Sequence, residues 1–229
     1  MTPSVEPYQL PPEEKTQPVL RALEKRYGRP TRKGDPDPLE VLVRGILSQN
    51  TSDVNSGRAY ASLRARFGDW EALAEAGPGE IEEAIRSGGL AEQKAATIRG
   101  LMDWLSERDG YSLDFLEELD SGEAERQLRE LKGVGVKTAR LVLLFGLGRP
   151  VFVVDTHVHR VSLRLGLVPK GTTRDKAHKL LDELVPDADK YSGHLNMIRH
   201  GRRTCAARSP RCDDCPVQEW CLYVRDEMG

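Results

Sequence analysis

No apolar run in the 229-residue chain approaches the roughly 20 residues that a bilayer-spanning helix needs, although 38% of its residues are apolar. A membrane-spanning helix is not predicted, and a soluble protein is expected. The opening residues, Met1 to Tyr8, offer neither a basic segment leading into an apolar stretch nor an Arg-rich amphipathic pattern, so a cytoplasmic, nucleoid-associated protein is expected. Positive charge is not in excess either: 34 Lys and Arg face 36 Asp and Glu, for a net charge of -2 and a pI near 6.3. That balance excludes a generally basic, histone-like binder and confines any nucleic-acid contact to a local patch. No cysteine precedes Cys205, and the four present crowd between 205 and 221. This is a compact metal or cluster pattern, not the dispersed disulfide framework of a small secreted domain. Series of alternating strands, fixed-period repeats and low-complexity segments are also missing, which leaves solenoid readings without support.

The chain is long enough for one domain or two small lobes with a real core. Apolar residues at helical spacing mark Val19 to Tyr27, Leu39 to Leu47, Ala59 to Phe67 and Ala95 to Leu105. Asp37-Pro38, Ser52-Asp53, Pro78-Gly79-Glu80 and Ser121-Gly122-Glu123 each supply a cap, a first-turn proline or an acid where a helix should begin. An all-α protein of many short helices is predicted, with a surface arm before about Glu13. The best strand candidate, Val151-Phe152-Val153-Val154, has no pairing partner and reads as a buried extended connector.

Three segments carry chemistry. Cys205, Cys212, Cys215 and Cys221 follow a C-x6-C-x2-C-x5-C spacing, with one short arm and two longer loops. This favours an iron–sulfur cluster over the paired short arms of structural zinc, although spacing alone leaves a zinc knuckle open. Arg199, Arg202, Arg203, Arg208 and Arg211 surround it and suggest a basic surface able to meet phosphates. Leu131-Lys132-Gly133-Val134-Gly135-Val136-Lys137 joins two helical patterns as a hairpin. Glycines there can take positive φ and leave amides uncovered at the start of the second helix, where a phosphate is held without regard to sequence. Lys137, beside Lys132 and Arg140, stands where an amine nucleophile could act, and phosphate clamping is the alternative. Asp155 leaves the apolar connector and opens another helix. It is an N-cap that could also stabilise positive charge at a reacting sugar carbon or steer a proton.

In this order on one chain, the hairpin with its lysine, the Val154-Asp155-Thr156-His157 segment and the C-terminal cysteines resemble the endonuclease III family of helix–hairpin–helix DNA glycosylases, from about Pro38 to Cys221. The resemblance implies an all-α fold with two helical lobes flanking a DNA-binding cleft. Residues 1–38 would give an N-terminal arm and helix to the cluster lobe, 39–149 the central lobe with the hairpin, and 150–229 the lobe with a [4Fe–4S] cluster held by the four cysteines. Lys137 matches the family's catalytic lysine and Asp155 its catalytic aspartate. Gly133, Val134 and Gly135 would bind DNA at the hairpin. Leu90, in Ser87-Gly88-Gly89-Leu90, matches a wedge leucine suited to intercalation. His157 matches a residue near the extruded nucleotide, and Asn50 falls where the family uses glutamine to fill the gap left by the flipped base. The implied activity is that of a monomeric, bifunctional glycosylase and lyase. It would act on double-stranded DNA with oxidised pyrimidines or abasic sites and cleave 3′ to the lesion by β-elimination through a lysine Schiff base. The Asn50 departure keeps a mismatch or modified-cytosine glycosylase as an alternative. A non-catalytic DNA-binding module is a second one, which the pairing of Lys137 with Asp155 argues against.

Overall fold

Proline at the first helical position starts α1 (Pro12–Tyr27), since the missing amide would lack an intrahelical acceptor there in any case. Asp37 accepts the Leu39 amide at 2.8 Å to start α2 (Pro38–Leu47), and Ser52 accepts that of Asn55 to start α3 (Asp53–Phe67). This computed structural model describes residues 6–108 and 110–228, and among them there are helices and connectors but no strand. Short helices α4 (Trp70–Glu75) and α5 (Pro78–Ile85) lead through a 3-10 turn to α6 (Ala91–Ser106). Then come α7 (Ser121–Glu130), capped by Asp120, and α8 (Val136–Leu141), which runs on through one π-helical turn, Val142–Gly146. The remaining helices are α9 (Thr156–Leu165), α10 (Arg174–Leu184), α11 (Asp187–Arg203) and α12 (Leu222–Met228). The N-terminal arm does not simply lie on the surface: the Tyr8 carbonyl accepts the buried Lys15 ammonium at 2.9 Å.

The chain forms two compact units, Gly34–Arg149 and Met1–Lys33 with Pro150–Gly229. The first, the hairpin unit, packs α2 to α8 around fully buried Leu42, Ile46, Leu63, Ile81, Ile98 and Leu101. In the second, the cysteine unit, α1, α9, α10 and α11 enclose Val19, Leu23, Phe152, Val158, Leu181 and Met197.

The connector Val151–Val154 is buried along its whole length, at most 5% exposed, and is extended without a sheet. Buried backbone groups must still find partners, and here side chains supply them. Asp182 accepts the Phe152 amide at 2.6 Å, Lys190 donates to the Pro150 carbonyl at 2.9 Å and His194 Nδ1 donates to the Val153 carbonyl at 2.9 Å. The partners lie 30 to 41 residues away in sequence. His194 also meets the Phe152 ring edge-on, with centroids 6.5 Å apart. Its replacement His194→Leu strands a buried carbonyl and is expected to cost about 1–3 kcal/mol in denaturant unfolding. A variant as stable as the parent would show that the connector needs no such partner.

Candidate functional site

The hairpin between α7 and α8 depends on one glycine. Gly133 has φ +91°, and a Cβ there would come within 2.5 Å of Thr97 Oγ1. Gly135 differs from the sequence expectation of two left-handed glycines. It sits at φ -95° as the N-cap of α8, with open space where a Cβ would go. The Val134 side chain is buried, packing the hairpin, and its amide donates to the Leu131 carbonyl at 3.0 Å. Lys132 and Gly135 remain exposed. Lys137, in the first turn of α8, is half-buried, and its amine has no hydrogen bond or ion pair among the described residues. Arg140, counted from sequence as a neighbouring cation, is instead paired with Glu125 at 2.8 Å, both side chains largely buried.

Within the hairpin unit, Gln49, Asn50, Leu90, Lys94, Lys132 and Gly133 line a depression of about 700 Å³. Lys137 is not among its lining residues. Gln49 ties the loop after α2 to the hairpin, donating from Nε2 to the Gly133 carbonyl at 2.9 Å and to Thr138 Oγ1 at 3.3 Å. Besides Gly133, two lining residues have left-handed backbone. Asn50, at φ +51°, is a residue type that tolerates it. Leu90, at φ +49°, is not, and strain of about 1–3 kcal/mol accompanies such a conformation. Leu90 is nevertheless 49% exposed and presents an apolar tip to solvent.

In the cysteine unit, Asp155 caps α9. Its Oδ1 accepts the amides of His157 at 2.8 Å and Val158 at 2.7 Å, while Oδ2 has no hydrogen-bond partner among the described residues. Burial pushes the His157 imidazole below the ordinary histidine range, Arg160 and Arg202 add to that shift and Asp155 opposes it. Arg160 donates to His157 Nδ1 at 3.1 Å, to the Gly201 carbonyl at 2.8 Å and to the Cys205 carbonyl at 3.0 Å. One turn on, Arg164 donates to the Ala206 carbonyl at 2.8 Å and to Cys205 Sγ at 3.2 Å. The helix that begins with Asp155 is thereby fastened to the cysteine loop. Gly201 permits the approach, because a Cβ there would lie 2.8 Å from His157 Cβ.

All four cysteines line one narrow space of about 20 Å³, whose walls include Val161, Leu165, Val217 and Val224 and no carboxylate. His200 Nε2 faces Cys215 Sγ at 3.7 Å, and Tyr27 Oη contacts His200 Nδ1 at 3.2 Å. Burial takes His200 to about 4, leaving it neutral, and pushes the Cys215 thiol up to about 11 and those of Cys212 and Cys221 upward. Bare thiolates are therefore disfavoured, and bound iron would stabilise them. Among the described residues no three His, Cys, Asp or Glu side chains converge as a single metal ion requires. Four soft sulfurs lining one largely apolar space fit an iron–sulfur cluster. Of the expected basic surface, Arg202, Arg203, Arg208 and Arg211 are exposed, whereas Arg199 turns inward to the Tyr27 carbonyl.

Sequence reasoning missed Lys94, Arg160, Arg164 and His200. Lys94 carried a signal, since it shares a helical face with Ile98, Leu101 and Leu105, a position that should be apolar.

Comparison with known proteins agrees with this geometry. Residues 43–187 match the HhH-GPD superfamily of base excision DNA repair proteins, and residues 205–221 match the iron–sulfur binding domain of endonuclease III. The chain is 36% identical to endonuclease III of Thermotoga maritima over 90% of its own length and 92% of the relative's. It is 39% identical to a putative DNA glycosylase of Arabidopsis thaliana, covering 78% of this chain and 64% of that longer protein. The structure of a trapped endonuclease III–DNA covalent intermediate, an estranged-adenine complex, superposes with a TM-score of 0.80 at 28% identity, covering 95% of this chain and 99% of that one.

Gly133→Ala is expected to destabilise the protein by at least about 1 kcal/mol and to weaken binding to damaged and undamaged duplex alike, whereas Gly135→Ala should leave stability nearly unchanged. Equal stability losses for the two would contradict the assignment of left-handed backbone to Gly133 alone. Anaerobically purified protein should contain iron and acid-labile sulfide, and Cys212→Ser should lose brown colour together with thermal stability. Zinc without iron would overturn the cluster assignment.

Proposed function

Because the chain belongs to the HhH-GPD superfamily of base excision DNA repair proteins, and within it is an endonuclease III-type DNA glycosylase with an iron–sulfur binding domain, we propose that it is bifunctional, with Lys137 as nucleophile and Asp155 as the assisting carboxylate. The observation that carries this reading is the Lys137 amine, held in the first turn of α8 without a carboxylate partner while neighbouring Arg140 is committed to Glu125. The likeness to a relative trapped as a covalent intermediate with DNA supports it as well.

A base buried in duplex stacking cannot be attacked in place, so the nucleotide is extruded, at a cost of a few kcal/mol that is smallest for poorly stacked damaged bases. The Lys137 amine forms a bond to the sugar C1′ as the bond from C1′ to the base breaks, and the base departs with the bonding electron pair and a proton. Asp155, with Oδ1 occupied by two amides, has Oδ2 left to stabilise the positive charge that develops at the sugar and to relay protons. Ring opening gives the Schiff base. Loss of a C2′ proton then expels the 3′ phosphate, which nicks the strand 3′ to the lesion, and water releases the lysine. Cys205, Cys212, Cys215 and Cys221 would hold the [4Fe–4S] cluster, whose part is to fold and fix the loop that Arg160 and Arg164 fasten to α9. Exposed Arg202, Arg203 and Arg208 and the hairpin cations would meet phosphates, while Arg211 donates to the Arg203 carbonyl. Oxidised pyrimidines and abasic sites in double-stranded DNA are the proposed substrates, taken by a monomer.

Borohydride added during turnover on a lesion-containing duplex is expected to yield a stable protein–DNA adduct that maps to Lys137. Lys137→Gln should keep binding and lose trapping and strand cleavage together, and Asp155→Asn should slow base release by about 10²-fold or more with binding retained. A parent enzyme that releases base yet never traps would make the protein monofunctional and Lys137 a phosphate clamp. On a panel of single-lesion duplexes, exclusive turnover of mismatched or modified cytosine pairs would overturn the oxidised-pyrimidine reading.

A further inference from the structure

The loop carrying Asn50 and the turn carrying Leu90 are far apart in sequence and are joined by one buried cation. Lys94 is 3% exposed, and its Nζ donates to the Leu47 carbonyl at 2.8 Å and to the Gly88 carbonyl at 2.9 Å, with no carboxylate partner among the described residues. Leu47 ends α2, where a carbonyl has no intrahelical donor, and Gly88 ends the 3-10 turn before α6. Asn50 follows the first carbonyl by three residues and Leu90 follows the second by two. The Lys94 amide also donates to the Leu90 carbonyl at 3.0 Å, the first intrahelical bond of α6, so one residue fixes the backbone at Leu90 and at Gly88 two residues before it. On its other side the Asn50 loop is held by Gln49, which donates to Gly133 of the hairpin.

We propose that Lys94 is a positioning residue that makes Asn50 and Leu90 one rigid device for entering duplex DNA. The proposal rests on the reading of Asn50 and Leu90 as residues that meet DNA. Both have left-handed backbone, and both line the same depression. Fixing two carbonyls on one ammonium sets the spacing between an apolar tip, suited to replacing a lost stacking partner, and an amide, suited to pairing with a base left without its partner. A gap of one nucleotide admits both only if that spacing is kept. An apolar side chain at position 94 could fill the volume but could hold neither carbonyl, and this accounts for a charged residue on the buried face of α6.

The test is single-turnover base release by the holoenzyme on a lesion duplex, with 2-aminopurine beside the lesion to report extrusion. Asn50→Ala and Leu90→Ala should each slow release, and the double variant should be about as slow as the slower single, because one rigid device fails as a unit. Lys94→Met should match the double variant, with a reduced extrusion signal, and adding either alanine to it should cost less than about twofold. Binding to undamaged duplex, carried by the hairpin, should persist. Single-variant factors that multiply in the double variant, or normal release by folded Lys94→Met, would overturn the pin. If Lys94→Met fails to fold, Lys94→Gln, whose neutral amide replaces the ammonium, takes its place with the same expected and contrary outcomes. Normal release by both single variants would remove the DNA-contact premise, and with it the proposal, while leaving the Lys137 chemistry untouched.

Discussion

A protein built of many short helices has many helix ends, and each end leaves carbonyls without intrahelical donors. At buried junctions water does not reach them, and an unpaired buried carbonyl costs about 1–3 kcal/mol. This chain meets the constraint with long cations pointed inward. Lys15 holds the carbonyls of Tyr8 and Leu165, Lys94 those of Leu47 and Gly88, Lys190 that of Pro150, Arg149 that of Leu116, and Arg160 those of Gly201 and Cys205. Hydrogen bonds from charged donors are stronger than neutral ones, which offsets part of the cost of taking an ammonium or guanidinium out of water. Burial accordingly lowers the affinity of Lys15 and Lys94 for their protons.

The same constraint decides where function sits. Three of these cations lie beside residues of the proposed machinery: Lys94 flanks Asn50 and Leu90, Arg160 joins His157 to Cys205, and Lys190 fixes the connector that delivers Asp155. Cations spent on carbonyls or, like Arg140, on a carboxylate are unavailable to phosphate. Among the hairpin residues, Lys132 and Lys137 are left without such commitments. A net charge of -2 is therefore compatible with a DNA enzyme whose positive groups are few and local.

Much of this was legible in the sequence, because helix starts are written in adjacent residues. Asp37 and Ser52 cap α2 and α3 where their local sequence says, and Pro78 opens α5. The Val151–Val154 run reads correctly as an unpaired buried connector, yet its partners Asp182, Lys190 and His194 are remote and carry no local signal. The hairpin is visible as a motif, but Gly133 and Gly135 look alike in sequence. Only the proximity of Thr97 separates the obligatory glycine from the cap. Arg160 and Arg164 lie four apart on α9, and nothing nearby in sequence reveals that the end of α11 and the loop after it fold over them. Lys94 is the intermediate case, a charge at an apolar register whose partners depend on tertiary structure.

Amide hydrogen exchange on the Arg160→Met holoenzyme tests most directly whether cations on carbonyls, beyond helix propensity, hold the functional loops in place. Loss of the guanidinium should lower protection at residues 201–206 and in the first turn of α9 by about tenfold or more, as expected when a local unit opens more often, with α2 to α6 unchanged. Protection at 201–206 equal to that of the parent, or a uniform loss across both units, would contradict it.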